Sequence, residues 1–142
     1  MASATLRMFG LVWPISDRLD ILDVLARADN AASRRDRDAY VELFTDDVVL
    51  DGDQGTHVGK ETLRQAVGPI WANEGTATLH LTLNSTLESV GSSADEVIAN
   101  SVLLILQPSA SPHILTAAII TQRLRRIGAF WQIGHRTVKT AT

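Results

Sequence analysis

Up to Gly75 the apolar residues of this chain recur at helical spacing, and after it they alternate. That change of period, from about 3.6 to 2, constrains the fold more than any other feature, because helix and strand bury different positions of a pattern. The order it predicts is three helices with one short strand among them, then four strands joined by hairpins. Helices segregated from a mainly antiparallel sheet make an α+β fold.

A first helix is expected from Asp17 to about Arg34, with Ser16 as N-cap and Asp17 and Asp20 in its first turn. Its apolar positions are Leu19, Leu22, Leu25, Ala26, Ala28 and Ala32, and Pro14 keeps it from extending backwards. Residues 1–15 read as an arm ahead of a single domain over 16–142. Asp36 can cap a short second helix, Arg37 to Phe44, that buries Tyr40, Leu43 and Phe44 until Thr45-Asp46-Asp47 breaks it. Val48 to Leu50 is a short strand, followed by a polar turn through Gly52 and Gly55. Gly59-Lys60-Glu61 opens a third helix that buries Leu63, Ala66, Val67 and Ile70, and Gly68-Pro69 should kink or end it. Thr78 to Val90 is a strand with His80, Thr82, Asn84 and Thr86 on one face and Leu81, Leu83 and Leu87 on the other. Glu96 to Leu106, His113 to Ile127 and Phe130 to Thr140 complete the set, the last two joined by a tight turn at Gly128-Ala129.

Several function classes fall away. The 45% hydrophobic and 20% charged composition of the 142 residues is that of a packed domain. Net charge is −3, and Arg123, Arg125 and Arg126 are too few for a nucleic-acid footprint. No cysteine is present, so disulfides, zinc–thiolate sites and cysteine nucleophiles are excluded. No run approaches the roughly 20 apolar residues of a membrane span. The stretch Met8 to Ile15, broken by Gly10 and Pro14, does not make a secretory signal, and a cytoplasmic location is expected. The four histidines have no metal-ligand spacing, and there is no phosphate-cradling glycine loop or nucleophile elbow. Neither metal nor organic cofactor is expected.

Four stretches together resemble the SnoaL-like family of the nuclear transport factor 2-like superfamily. They are Asp38-Ala39-Tyr40-Val41-Glu42-Leu43-Phe44-Thr45-Asp46-Asp47-Val48, Gly59-Lys60-Glu61-Thr62-Leu63, His80-Leu81-Thr82-Leu83-Asn84, and Phe130-Trp131-Gln132-Ile133 with Arg136. They follow the family's order and spacing across about residues 17–138. The resemblance implies a cone-shaped domain in which a curved sheet and three helices enclose a pocket, and commonly a homodimer through the sheet's outer face. Relatives include polyketide cyclases, ketosteroid isomerases, dehydratases and epoxide hydrolases, alongside non-catalytic binding modules; most of the enzymes transfer protons without metal or organic cofactor.

In dehydratase-like relatives a histidine at the place of His80 acts as general base, paired with a carboxylate on the first helix. Imidazole suits that role because it titrates near neutrality and a carboxylate stabilises its charged form. This chain departs from the pattern: the position of the helix-one aspartate is held by Ser33, and Asp29 lies one turn earlier on the same helix face. His80 and Asp29 are thus the candidate catalytic residues, and Ser33, Asn84, Gln122, Trp71 and Tyr40 the candidate substrate contacts. Asp51 and His57 could sit at the pocket mouth. His135 and Arg136 fall on opposite faces of the last strand, so that one faces the pocket side. The tyrosine of ketosteroid isomerases has no counterpart in the first helix.

Three readings stay open. One is a cofactor-independent lyase or isomerase acting on an apolar substrate that bears a carbonyl or hydroxyl group. Another is a small-molecule binding domain without chemistry, which Ser33 favours. The last is a dimeric interaction module whose pocket is filled by side chains, Trp13 and the arm among them. Fold alone does not choose between them.

Overall fold

The structure, a computed structural model, describes residues 13–140. The expected arm therefore lies, up to residue 12, outside the described residues. Trp13 is fully buried in the main core.

The helices are α1 (Ile15–Arg34), α2 (Arg37–Glu42) and α3 (Lys60–Glu74). The strands are β1 (Phe44–Gly52), β2 (Gly55–Val58), β3 (Leu79–Ser89), β4 (Glu96–Gln107), β5 (His113–Ile127) and β6 (Phe130–Thr140). Pro14 takes the N-cap place of α1 instead of Ser16, and no side chain caps it. Proline's fixed φ suits a helix start. The face that α1 buries is Ile21, Leu25, Ala28, Asp29, Ala31 and Ala32; Leu19, Leu22 and Ala26, expected inside, are exposed.

Asp36 caps α2 as expected, accepting the Ala39 N–H at 3.1 Å. α2 ends at Glu42 rather than Phe44, because Phe44 already pairs with Ile133 of β6. The turn after β1 is a hairpin whose return strand, β2, is absent from the sequence reading. α3 runs on through Gly68-Pro69, where a kink or stop was expected. Pro69 and Gln65 are exposed, so the carbonyl left without an N–H partner meets water.

The six strands form one curved, unclosed sheet in the order β2-β1-β6-β5-β4-β3, antiparallel except for the β1–β6 pair. β4 alternates cleanly, with Val97, Ala99, Ser101, Leu103 and Ile105 buried on the inner face. β3 does not. Asn84 takes a left-handed φ of 55° at a bulge between Leu83 and Thr86. Beyond it Ser85 meets Ser101, and Leu87 pairs with Ala99 on the inner face. The expected single face of His80, Thr82, Asn84 and Thr86 is therefore broken at Asn84.

Among the described residues, two apolar clusters lie on the inner side of the sheet. The larger joins the helices to β1, β4 and β6, and the smaller is Leu103, Ile105, Ala118 and Ile120 with Val138. A cavity separates them, with Tyr40, Val67 and Trp71 on one wall and Leu103, Ile105 and Val138 on the other. On the outer face, cross-strand register aligns Leu79, Leu106 and Ile114, then Leu81, Leu104 and Ala117, then Leu83, Val102 and Ile119. Among the described residues nothing covers Leu79, Ile114 or Ile119, which are 45%, 57% and 54% exposed.

Candidate functional site

The cavity holds about 200 Å³ and opens beside the β1–β2 hairpin, whose residues Asp53, Gln54, Gly55 and His57 form part of its lining. Its walls are mostly apolar. The ionisable groups deeper in it are Glu74, His80, Arg136 and the phenol of Tyr40. An apolar concavity with a few convergent polar groups is the usual form of a small-molecule site.

His80 stands near the start of β3, and its Nε2 lies 2.7 Å from Oε1 of Glu74. Both side chains are largely buried. Glu74 is the last residue of α3, where Gly75, at a φ of 105°, stops the helix. A carboxylate at a helix C-terminus opposes the dipole and needs nearby cations. Arg35 supplies one. At the left-handed end of α1 its guanidinium reaches Glu74 Oε1 at 3.3 Å, the Trp71 and Gly75 carbonyls at 3.3 and 3.1 Å, and Thr78 Oγ1 at 2.9 Å. It thereby ties the end of α3 to the approach to β3. Thr78 also donates to Glu74, at 3.1 Å. Burial alone would raise the Glu74 carboxyl, but hydrogen bonds from His80 and Thr78 and the charges of His80 and Arg35 outweigh it. The net result lies below the usual carboxylate range. An ionised carboxylate only accepts, so the ring nitrogen that faces it, Nε2, carries a proton and donates to Glu74. Among the described residues Nδ1 has no hydrogen-bond partner.

The carboxylate at His80 is thus Glu74, not Asp29. Asp29 accepts the Thr82 backbone N–H at 2.7 Å and the Thr82 hydroxyl at 3.0 Å, one on each oxygen. Ser33 Oγ accepts the backbone N–H of His80 at 2.9 Å, not its ring. Both act on the free edge of β3, satisfying N–H groups that no neighbouring strand reaches. The two helix-one residues therefore fix the strand that carries His80.

Tyr40 and Trp71 line the cavity, their rings edge to face at 5.3 Å. Arg136 resolves the alternation of the last strand: it is buried and lines the cavity, while His135 is exposed on the outer side. Its Nη1 donates to the Tyr40 hydroxyl at 2.9 Å. Burial raises the Tyr40 phenol; Arg136 opposes the shift, while Asp29 and Glu74 reinforce it, so the group stays protonated. His57 lines the mouth; Asp51 instead accepts from Thr56 and does not. Asn84, at its bulge, is exposed and off the cavity, and Gln122 is buried beside Arg136 across the β5–β6 pair without lining it. Gln122 Oε1 has no partner among the described residues. Among the described residues no group of three or more His, Cys, Asp or Glu side chains is placed to hold a metal ion.

The SnoaL-like domain family matches residues 13–137. The chain belongs to that family. Several solved structures share its fold. A Nostoc punctiforme protein of unknown function with a cystatin-like fold has a TM-score of 0.78 at 24% identity, over 88% of this chain and 91% of that one. A LinA-type hexachlorocyclohexane dehydrochlorinase from Novosphingobium barchaimii has 0.76 at 20% identity, over 90% and 88%. A putative scytalone dehydratase from Novosphingobium aromaticivorans has 0.75 at 16% identity, over 90% and 86%. No curated protein matches the chain. Among the described residues no helix is long and apolar enough to cross a membrane.

Proposed function

We propose that this SnoaL-like domain is a proton-transfer enzyme, a lyase or isomerase acting on an apolar small molecule with a carbonyl or hydroxyl group. The observation that carries the reading is the His80–Glu74 contact on the wall of an apolar cavity. His80 Nδ1 takes a proton from the carbon next to the substrate carbonyl, and the C–H electron pair moves into an enolate. The imidazolium then shares its charge with Glu74, which is ionised beforehand. Returning the proton to another carbon isomerises the substrate; expelling a β-hydroxyl, protonated on leaving, dehydrates it. The dehydratase and dehydrochlorinase names of the structural relatives fit eliminations of this kind. Neither step needs a metal or organic cofactor.

The test is hydrogen exchange in deuterated water with 2-tetralone, an enolisable bicyclic ketone, followed by proton NMR. Wild-type protein is expected to accelerate loss of the signals next to the carbonyl, and His80→Ala, folded by circular dichroism, to lose the acceleration. Equal rates in the two would refute the reading. The exposure of Leu79, Ile114 and Ile119 beside the apolar row of Leu81 and Leu104 on the outer sheet face supports a homodimer through that face.

A further inference from the structure

Arg136 is the one cation among the cavity-lining residues that no described acidic side chain neutralises. Glu74 is matched by Arg35 and His80, and Asp53 is exposed in the hairpin at the mouth. Arg136 is only 5% exposed and forms no salt bridge with a described residue. Its single described side-chain partner is the neutral phenol of Tyr40. Its neighbours across the sheet, Gln122 on β5 and Leu50 on β1, carry no charge. A guanidinium is always ionised and has five donors, and burying one without an anion is costly. An apolar side chain would pack the same position at less cost, so packing does not account for an arginine there.

Tyr40 adds a second donor. Its hydroxyl oxygen accepts from Arg136, which leaves its own proton without an acceptor among the described residues. A protonated phenol beside a guanidinium, both on the cavity wall, offers two kinds of N–H and O–H donor to one oxyanion.

We infer that the cavity takes an apolar molecule bearing a carboxylate, which Arg136 and Tyr40 bind while the reacting carbon lies towards His80. The inference deepens the proposed function by naming the substrate class; it rests on the same cavity being a small-molecule site, but not on the proton transfer. The flat fork of Arg136 meets a carboxylate through paired hydrogen bonds, which a neutral amide of the same shape does not match in charge.

The experiment is isothermal titration calorimetry of the full chain with 2-naphthoate and with its neutral counterpart 2-naphthamide. The wild type is expected to bind the acid at least tenfold more tightly than the amide. Arg136→Gln is expected to erase that preference, and Tyr40→Phe, which keeps the ring, to weaken the acid severalfold while leaving the amide less affected. Because Arg136→Gln removes a buried group, its fold is checked by thermal melting; should it not fold, the wild-type preference and Tyr40→Phe decide the question. Equal binding of acid and amide by the wild type overturns the carboxylate inference and leaves the proton-transfer reading standing. A retained preference in folded Arg136→Gln overturns it too, and failure to bind either compound overturns both the inference and the cavity reading. A clear preference for the acid in a protein that exchanges no ketone hydrogen upholds the carboxylate seat and sinks the chemistry.

Discussion

Replacing Asp29 by alanine separates a structural aspartate from a catalytic one. The side chain is buried, and each oxygen accepts a different donor of Thr82, the backbone N–H at 2.7 Å and the hydroxyl at 3.0 Å. Hydrogen bonds to an ionised acceptor contribute about 1.5–3 kcal/mol each. The Thr82 hydroxyl is half-buried and can turn towards water, but the N–H sits on the sheet edge beneath α1 and finds no replacement. The expected loss is therefore about 2–4 kcal/mol for the pair. At about 4 °C per kcal/mol for a chain of this length, Tm should fall by about 8–16 °C. Asp29→Asn keeps one carbonyl acceptor for the N–H and should lose about half as much. The assay is differential scanning calorimetry, with 2-tetralone exchange measured well below the transition. The folded variant should keep most of its exchange activity, because Glu74 still holds the imidazole. A variant that melts within about 2 °C of wild type, less than one such hydrogen bond would cost, yet exchanges no ketone, would refute this reasoning and return Asp29 to the chemistry.

Glu74→Gln should lower the turnover number for ketone exchange about a hundredfold with little change in KM, since it removes the charge that supports the imidazolium rather than a substrate contact. It should also flatten the acid limb of the stability profile. The folded-state pKa of Glu74 is lowered, so its contribution is present above the unfolded carboxylate value of about 4.3 and disappears as pH falls through the lower folded value. Tyr40 is the only tyrosine, so the near-ultraviolet tyrosinate band reports it alone. No tyrosinate should appear at about pH 10, where a free phenol is half ionised, until the chain unfolds. Ile119→Asp should turn the proposed dimer into a folded monomer in sedimentation equilibrium, and an unchanged mass would remove the outer sheet face as the contact.

The fold was readable because the change of period at Gly75 is a property of many residues at once, and no single misassignment erases it. The misreadings concern individual directions. In α1 the expected Leu25, Ala28 and Ala32 are buried, but Ile21 joins them in place of Leu19, Leu22 and Ala26, and leucine alone does not reveal which side of an apolar stripe is covered. The faces of β3 were predicted by strict alternation, which the Asn84 bulge interrupts. His80 and Tyr40 were expected at the site and line the cavity, but the carboxylate was sought on the first helix. Glu74 reaches His80 only because α3 continues past Pro69 to a stop at Gly75, and the proline had been read as a kink or an end. A signal was available in Trp71 and Glu74, three residues apart and just ahead of that glycine, since this spacing puts both on one helix face. The contact of Arg35 with Glu74 spans 39 residues and has no local signature.

The most direct test of the account is a double-mutant cycle on His80 and Glu74, read as ketone exchange by folded wild type, His80→Ala, Glu74→Gln and the double variant. If Glu74 acts through the imidazole, the double variant is predicted to lose no more activity than His80→Ala alone. Exchange retained by folded His80→Ala, or wild-type exchange by folded Glu74→Gln, would contradict the pairing on which the proposed chemistry rests.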